Sequence, residues 1–495
     1  MDRPSELQHH DIAAGEEGKN EKASFPAEIP GGGDDDVPPD GGYGWVVVGA
    51  VFFMNSSTWG INSVPPLIGP QPSNHRLTIS QTYGVFLAHY LRTSTFPGAT
   101  PTHYSFVGGL SIATSMLIAP AVTILLRRTS TRTVMLLGVL INTLSLLLAS
   151  FSTQIWHLFL TQGLLLGAGI GTLYIGSVGT ISQWFSIRRS LANGLAAGGS
   201  GAGGLVYSLL TRALLTRVGL AWTFRALSLC AGVVTTICAL LIRDRNKSVL
   251  PSQRAFDMSL LRRPEMWGVL AWGFCSMMGY VVLLFSLPDY AASMGFSVGQ
   301  GGVLTALLNA GMMLGRPMVG LASDRWGRLN VGAASTLLTG VMCFGLWLPA
   351  GSYAVVVVFA VLCGAVCGTF WTSISPITVE VVGIRELPSA LSLVWLGIVL
   401  PTTFAECIAL YLRQPQMGRK AYMWPQLFAG CMYMVAFGFL WMLRAWKIGD
   451  WDRKMLETSA ETESVVSRDA AQVERNGSVL QRWRAANKWW RYKLA

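Results

Sequence analysis

The chain has little charge and few of the residues from which chemical sites are built. Only 13% of its 495 residues are charged, against 51% hydrophobic, and its mean hydropathy is positive. A soluble protein of this length could not cover itself with so little polar surface. The eight cysteines all lie in apolar stretches and none forms a CxxC pair, so neither a disulfide framework nor a thiolate metal site is supported. The six histidines are scattered, and no HExxH or nucleophile cluster appears. An enzyme is therefore not expected, and no metal or other cofactor is either. Residues 1–40 are acidic, rich in Gly and Pro and without an apolar core, which excludes a signal peptide and reads as a disordered tail. The formal charge of +11 is spread along loops between apolar runs, which favours membrane topology over nucleic acid as its explanation.

Long apolar runs are what the chain has instead. A bilayer core of ~30 Å needs roughly 20 helical residues. Segments of that kind recur about twelve times, near 43–63 (resuming at 82–90), 105–126, 134–151, 155–181, 190–210, 222–242, 266–287, 302–322, 331–348, 353–378, 388–410 and 425–443. A polar stretch after the sixth implies two six-helix halves. The expected order is a cytoplasmic tail (1–40), a first bundle (41–242) with an anomalous insertion (64–81), a linker (243–264), a second bundle (265–446) and a tail (447–495). Lys and Arg gather in the loops that face one side, including Arg127, Arg128, Arg132, Arg262, Arg263 and Arg385. By the positive-inside rule both termini are cytoplasmic. The expected product is a multi-pass integral protein, placed at the plasma membrane.

Three motifs stand out. Asp40-Gly41-Gly42-Tyr43-Gly44-Trp45 opens the first span, where Asp40 can cap exposed helix amides and the aromatic pair can sit at the lipid interface. The stretch 184–204, WFSIRRSLANGLAAGGSGAGG, carries Arg188 and Arg189 into a span of small residues. Gly199, Gly201 and Gly204 there satisfy the dinucleotide fingerprint G-x-G-x-x-G. That fingerprint needs a strand before it, whereas this run lies within an apolar span, where small residues let helices approach closely. The third motif, Gly320-Leu-Ala-Ser-Asp324-Arg325-Trp-Gly327-Arg328, joins the eighth and ninth spans. Its carboxylate and guanidinia suit a charge latch that pairs in one conformation and parts in another, although these arginines also serve to set topology.

The first two motifs together resemble the signature sequences of the monocarboxylate transporter family of the major facilitator superfamily, and the third resembles that superfamily's inner-loop motif. TWGIN, YGVFLAHYL and NTLSLLLASF look like the fungal branch, and the resemblance covers roughly residues 40–446. It implies an all-α membrane protein with the major facilitator fold, twelve transmembrane helices in two pseudosymmetric six-helix bundles. It also implies transport by alternating access, with substrate between the halves.

An ionised side chain at bilayer depth is costly and faces a cavity or a partner. Arg225, Arg316, Glu380 and Glu406 are the candidates. The family carries an anion-binding arginine before the proline of its eighth span, which falls here on Arg316; a guanidinium can hold a carboxylate bidentately. Glu380 reads as interfacial, and Arg225 and Glu406 equally as structural pairs. Proton-coupled members place an aspartate one turn before the arginine and a lysine in the first span; Met312 and Asn62 stand there. Asn309, two turns before Arg316, can offer amide hydrogen bonds. The substrate-binding set expected is thus Arg316, Asn309 and Asn62.

The expected partners are a small organic anion or neutral metabolite, protons and the lipid bilayer. Nucleic acid has no place, and an accessory subunit stays open. The leading function is secondary active transport of a monocarboxylate or related metabolite. Efflux of a fungal secondary metabolite and a non-transporting nutrient sensor are the alternatives. Two further expectations concern unusual segments. Residues 64–81 hold four prolines, and their removal leaves TWGINSTYGVFLAHYL, so they read as a retained intron, with a broken transport helix as the alternative. At the end, 480–495 place Leu480, Trp483, Trp490 and Leu494 on one helical face among basic residues, as an interfacial helix would; a disordered basic end is the alternative.

Overall fold

The computed structural model describes residues 38–62, 101–252, 254 and 256–468. The insertion at 64–81, the span resuming at 82–90, and the segment 480–495 lie outside the described residues. Every regular element among those described is helical. α1 is Gly44–Asn62, and α2 is Pro101–Leu117 continued, after a step at Ile118, by Ala119–Arg128. Pro120 causes that step, because its nitrogen cannot donate to the preceding turn. α3 is Thr131–Ala149 and α4 is Ile155–Trp184. The run Arg189–Leu241 is two spans, because Gly219 at φ 77° leaves the helical region; they are α5 (189–218) and α6 (220–241). Then come α7 Pro264–Ser293, α8 Val298–Trp326, α9 Arg328–Trp347, α10 Tyr353–Val382, α11 Leu387–Leu412 and α12 Met423–Arg468. Ten helices, with Arg189–Leu241 counted once, are long and apolar enough to cross a bilayer. Splitting that run at Gly219 and adding the 29-residue α8 gives twelve among the described residues.

Local chemistry sets the ends of these helices. Ser130 accepts from the Thr133 amide at 3.2 Å to start α3. Ser297 and Gln300 form a reciprocal capping box at the start of α8. Exposed side chains such as Leu140, Leu229, Leu314 and Met318 are the large aliphatics that a lipid-facing surface requires. On α8, Leu314 and Met318 face outward while Arg316 is 4% exposed, so the helical period turns the one charge of this stretch inward.

The small residues of α5 decide how the bundle closes. A methyl group on Gly199 or Gly203 would overlap the Phe52 and Ser56 carbonyls of α1, and one on Gly194 would overlap the Arg316 carbonyl of α8. α5 is thus wedged between α1 on one side and α8 on the other, with backbones in direct contact. α2 meets α11 and α4 meets α10 across the same seam between the first six spans and the last six. The Gly199–Gly204 fingerprint is helix packing, with no strand before it.

Several spans run longer than expected, and two of these extensions are long at one end. α7 runs past 287 to Ser293 and brings Asp289 into the bundle, because Pro288 is accommodated inside the helix. α12 does not release the chain at 447 but continues to Arg468, in a stretch rich in helix-forming residues that includes an i,i+4 pair, Asp450–Lys454 at 2.8 Å.

Candidate functional site

A narrow cavity lies on the seam and takes side chains from both sets of six spans. Its wall is mostly apolar and aromatic. Trp59 of α1 stands 5.7 Å from Tyr174 of α4 and 5.6 Å from Trp371 of α10, centroid to centroid. Tyr280 of α7 approaches Trp371 at 6.5 Å, and Trp395 of α11 stacks behind it at 6.0 Å. Offset and edge-on contacts of this kind hold large rings in fixed orientations. The polar lining is sparse: Asn55, Ser200, Tyr280, Arg316 and Thr402.

Arg316 is the cavity's one charged lining residue. Its Nη1 donates to the Ala197 carbonyl at 2.7 Å and to Ser200 Oγ at 2.6 Å, both on α5. Nη2 reaches the Tyr280 hydroxyl and the Met312 sulfur, each at 3.5 Å. Nε is buried with no partner among the described residues. All of these partners are neutral, and none of the described ion pairs includes Arg316. A buried cation answered only by dipoles and directed into a cavity is set up to receive an anion. Gly368 makes room for it, since a Cβ there would lie 2.8 Å from Nε.

The seam closes at the end of the bundle where the arginine-rich loops gather. Asp324 of α8 accepts from the Ser190 amide at 2.9 Å and the Leu191 amide at 2.7 Å, capping α5 from the other half. Arg328 donates to the Ser186 carbonyl at 2.6 Å and pairs with Glu380 at 3.3 Å. Ser182 and Ser375 meet at 2.9 Å between α4 and α10. On the near side of the same turn, Asp40 Oδ1 accepts from the Ser186 and Ile187 amides at 2.8 Å and from Arg188 at 3.3 Å. Trp45 packs edge-on against Phe185 at 4.8 Å.

The sequence profile described as Major Facilitator Superfamily matches residues 47–307 and 273–470. The chain belongs to the Major Facilitator Superfamily. It is 34% identical over 415 residues to the probable transporter MCH2 of Saccharomyces cerevisiae, spanning 83% of this chain and 84% of that protein. It is 31% identical to the uncharacterized transporter ESBP6 of the same yeast, over 83% of this chain but 60% of that longer protein. The Fujikurins efflux protein of Gibberella fujikuroi is 27% identical over 81% of this chain and 82% of its own length. Among solved structures, the Major Facilitator Superfamily transporter FucP in its outward conformation superposes with a TM-score of 0.58 at 15% identity, covering 81% of this chain and 98% of that one. The fold is thus the twelve-helix facilitator fold of two pseudosymmetric bundles, and the protein is a multi-pass membrane transporter rather than an enzyme.

Within this facilitator the expected site residues separate. Arg316 lines the cavity. Asn309 does not join it among the lining residues: its amide donates to the Thr305 carbonyl at 3.1 Å, and it packs beside Gly204 in the α5–α8 seam. Two turns before Arg316 and on nearly the same face of α8, it lies at a level where that face is packed directly against α5. Asn62 ends α1, and its side chain lies outside the described residues. Asp324 and Arg328 bridge the halves as a latch would, but the carboxylate grips backbone amides and not a guanidinium of Arg188. Arg188 and Arg325 are exposed, and Arg189 is buried with its Nε on the Phe185 carbonyl at 2.8 Å. Asp40 does not cap α1, whose first amides are taken by Gly41 and Gly42 carbonyls. With φ at 48° it turns its side chain to the loop before α5 instead. Gly41 and Trp45 belong to the same docking. Arg225 is away from the cavity lining, bonded to Ser150 and held over the Phe151 and Trp222 rings at 4.9 and 4.8 Å.

The aromatic wall, Ser200 and Asp289 were missed in the sequence. The wall is built from five helices, and only the glycine and proline pattern hinted at which faces turn inward. A second hollow between α2, α3 and α4 is rimmed by exposed Leu148, Phe151, Leu160 and Leu164 and has no charged lining. It belongs to the lipid-facing surface.

Proposed function

We propose that this transporter carries an organic monoanion with a sizeable apolar or aromatic body, as a monocarboxylate-type facilitator working by alternating access. The observation that carries the reading is Arg316, a buried guanidinium with only neutral partners, set in a cavity whose other walls are largely aromatic and aliphatic. The carboxylate would take Arg316, in competition with Ser200 and the Ala197 carbonyl, while the rest of the molecule replaces water against Trp59, Tyr174 and Trp371. That competition gives binding a route to movement. In the empty protein Arg316 ties α8 to α5 across the seam, and a substrate that takes over those hydrogen bonds loosens the tie. Asp324 and Arg328 form the closure at the basic end, which the positive-inside rule assigns to the cytoplasm together with both termini; a plasma-membrane location accompanies this orientation.

Efflux of a fungal secondary metabolite is a second reading. The apolar lining of the cavity and the similarity to the Fujikurins efflux protein favour it. Counterflow in proteoliposomes with a labelled panel graded from small to aryl-substituted carboxylates tests both. Exchange of aryl carboxylates at rates above those of two- and three-carbon acids, lost by a hundredfold or more in Arg316→Gln, is the expected result. Undiminished exchange in that variant refutes the anion site.

A further inference from the structure

The carboxylate that the family's proton-coupled members hold beside the substrate arginine is absent here. Met312 occupies its position, and its sulfur accepts from Arg316 and from the Tyr280 hydroxyl. A thioether cannot carry a proton through a transport cycle. Another carboxylate is placed close by. Thr402 of α11 lines the cavity, and Glu406 lies one helical turn further along the same face, away from the basic end.

Three other acidic side chains of these spans are answered by donors. Asp324 holds two amides, Glu380 pairs with Arg328, and Asp289 accepts from the Tyr422 hydroxyl at 3.1 Å with Arg413 at 3.9 Å. Glu406 differs. Its Oε2 is buried, and what faces it from α7 is the Ser286 hydroxyl, close by but outside good hydrogen-bond geometry. The charged and titratable groups around it are few. α7 presents Asp289, a like charge. The segment after α11 gives Arg413, which is engaged with Asp289, and the start of α12 gives Tyr422. Cys407 is its neighbour on α11. α2, which packs against α11, carries His103 and Tyr104 in its first turn and no titratable residue from Phe106 to Leu117.

We propose that Glu406 is the proton-binding site of this transporter. A bare carboxylate in this place has no cation of its own among the described residues, and its burial is costly. A proton added to Oε2 makes the group neutral and turns it from an acceptor of the Ser286 hydroxyl into a donor to it; its departure restores the carboxylate. Asp289, held by Arg413 and Tyr422, is the like charge beside it. The path from the cavity runs Thr402, Glu406, Asp289, Arg413, towards the end opposite the arginine-rich loops. A proton taken up there reaches a point one turn from bound substrate. The site replaces the coupling pair lost at Met312 and Asn62. It rests on the transporter reading of this bundle but not on Arg316 as the anion site.

The test needs no substrate, because the probe is the proton itself. Infrared difference spectra of the full-length protein reconstituted in lipid, recorded between acid and alkaline buffer, report protonated carboxyl groups by their C=O stretch. The wild type is expected to show such a band, and Glu406→Gln to lose it. A wild type without a titrating carboxyl band overturns the proposal, as does a band that Glu406→Gln leaves unchanged. If Glu406→Gln cannot be recovered folded, Glu406→Asp decides: the band should persist but move in frequency and midpoint, and an unaltered band overturns the assignment.

Discussion

Two carboxylates hold the start of α5, and they come from opposite sides of the seam. Asp40 takes the amides of Ser186, Ile187 and Arg188, and Asp324 takes those of Ser190 and Leu191, at closely similar distances. The chemistry is the same, anion to backbone N–H at a helix start. The mechanical consequence differs. Asp40 precedes α1, which packs on α5 within one half, so its contact can persist through the cycle. Asp324 sits on α8, among the last six spans, so on the proposed alternating-access reading its contact would have to break when the basic end opens. On that reading Asp40 would serve as a hinge pin and Asp324 as a bolt, and only the bolt would set the balance between conformations.

The largest expected effect is on the bolt. Asp324→Ala removes two charge-assisted hydrogen bonds from the closed form alone, a shift of about 2–4 kcal/mol and so roughly thirty- to several-hundredfold in population. Hydrogen exchange should show the Ser190 and Leu191 amides opening by that factor while Ser186 to Arg188 stay protected. Equal deprotection of all five would erase the distinction. Glycines sharpen it from the side of packing. Valine at Gly320, which touches the Ser190 carbonyl across the seam, and valine at Gly203, which touches Ser56 within the half, each force apart backbones in contact. Overpacking of about 1–3 kcal/mol is expected in both. It should appear as a more open basic end for Gly320→Val and as lost thermal stability for Gly203→Val.

Asp40→Ala comes next, with about 1–2 kcal/mol of stability lost and Ser186 to Arg188 deprotected, but with no change in the balance of conformations. Thermal melting in detergent and the same exchange experiment read both. Arg325 is the smallest case. It shares the motif with Asp324 but is exposed, and Arg325→Gln should change transport rate and stability by less than about 0.5 kcal/mol.

Much of this was legible before any coordinates, and what was missed has a physical cause. A charge inside an apolar run is conspicuous because burial penalises it, so Arg316 could be found from sequence. Asp324 and Arg328 drew notice through the inner-loop motif, although the sequence left open whether they latch or only set topology. The partner of Asp40 could not, since the amides it holds lie more than 140 positions away and have no side-chain signature. Asp289 was hidden by Pro288, which looks like a helix stop until neighbouring spans are seen to support the bend. The aromatic wall was hidden because Trp59, Tyr174, Tyr280 and Trp371 come from four helices whose rotation follows from glycine contacts rather than from their own periodicity. Asn309 shares with Arg316 the face of α8 that meets α5, and spacing along the helix did not reveal that at its level this face is packed rather than open to the cavity.

Distances across and within the halves test the central claim most directly. With the native cysteines replaced, spin labels at Arg132 and Arg325 straddle the basic end of the seam, and labels at Gly42 and Ile187 span the Asp40 contact. Both pairs should be measured in lipid, with and without Asp324→Ala. The variant is expected to add a longer-distance population to the first pair and leave the second unchanged. A first pair that stays as in the wild type, or a second pair that lengthens with it, would contradict the claim that this transporter opens by releasing Asp324 while Asp40 holds.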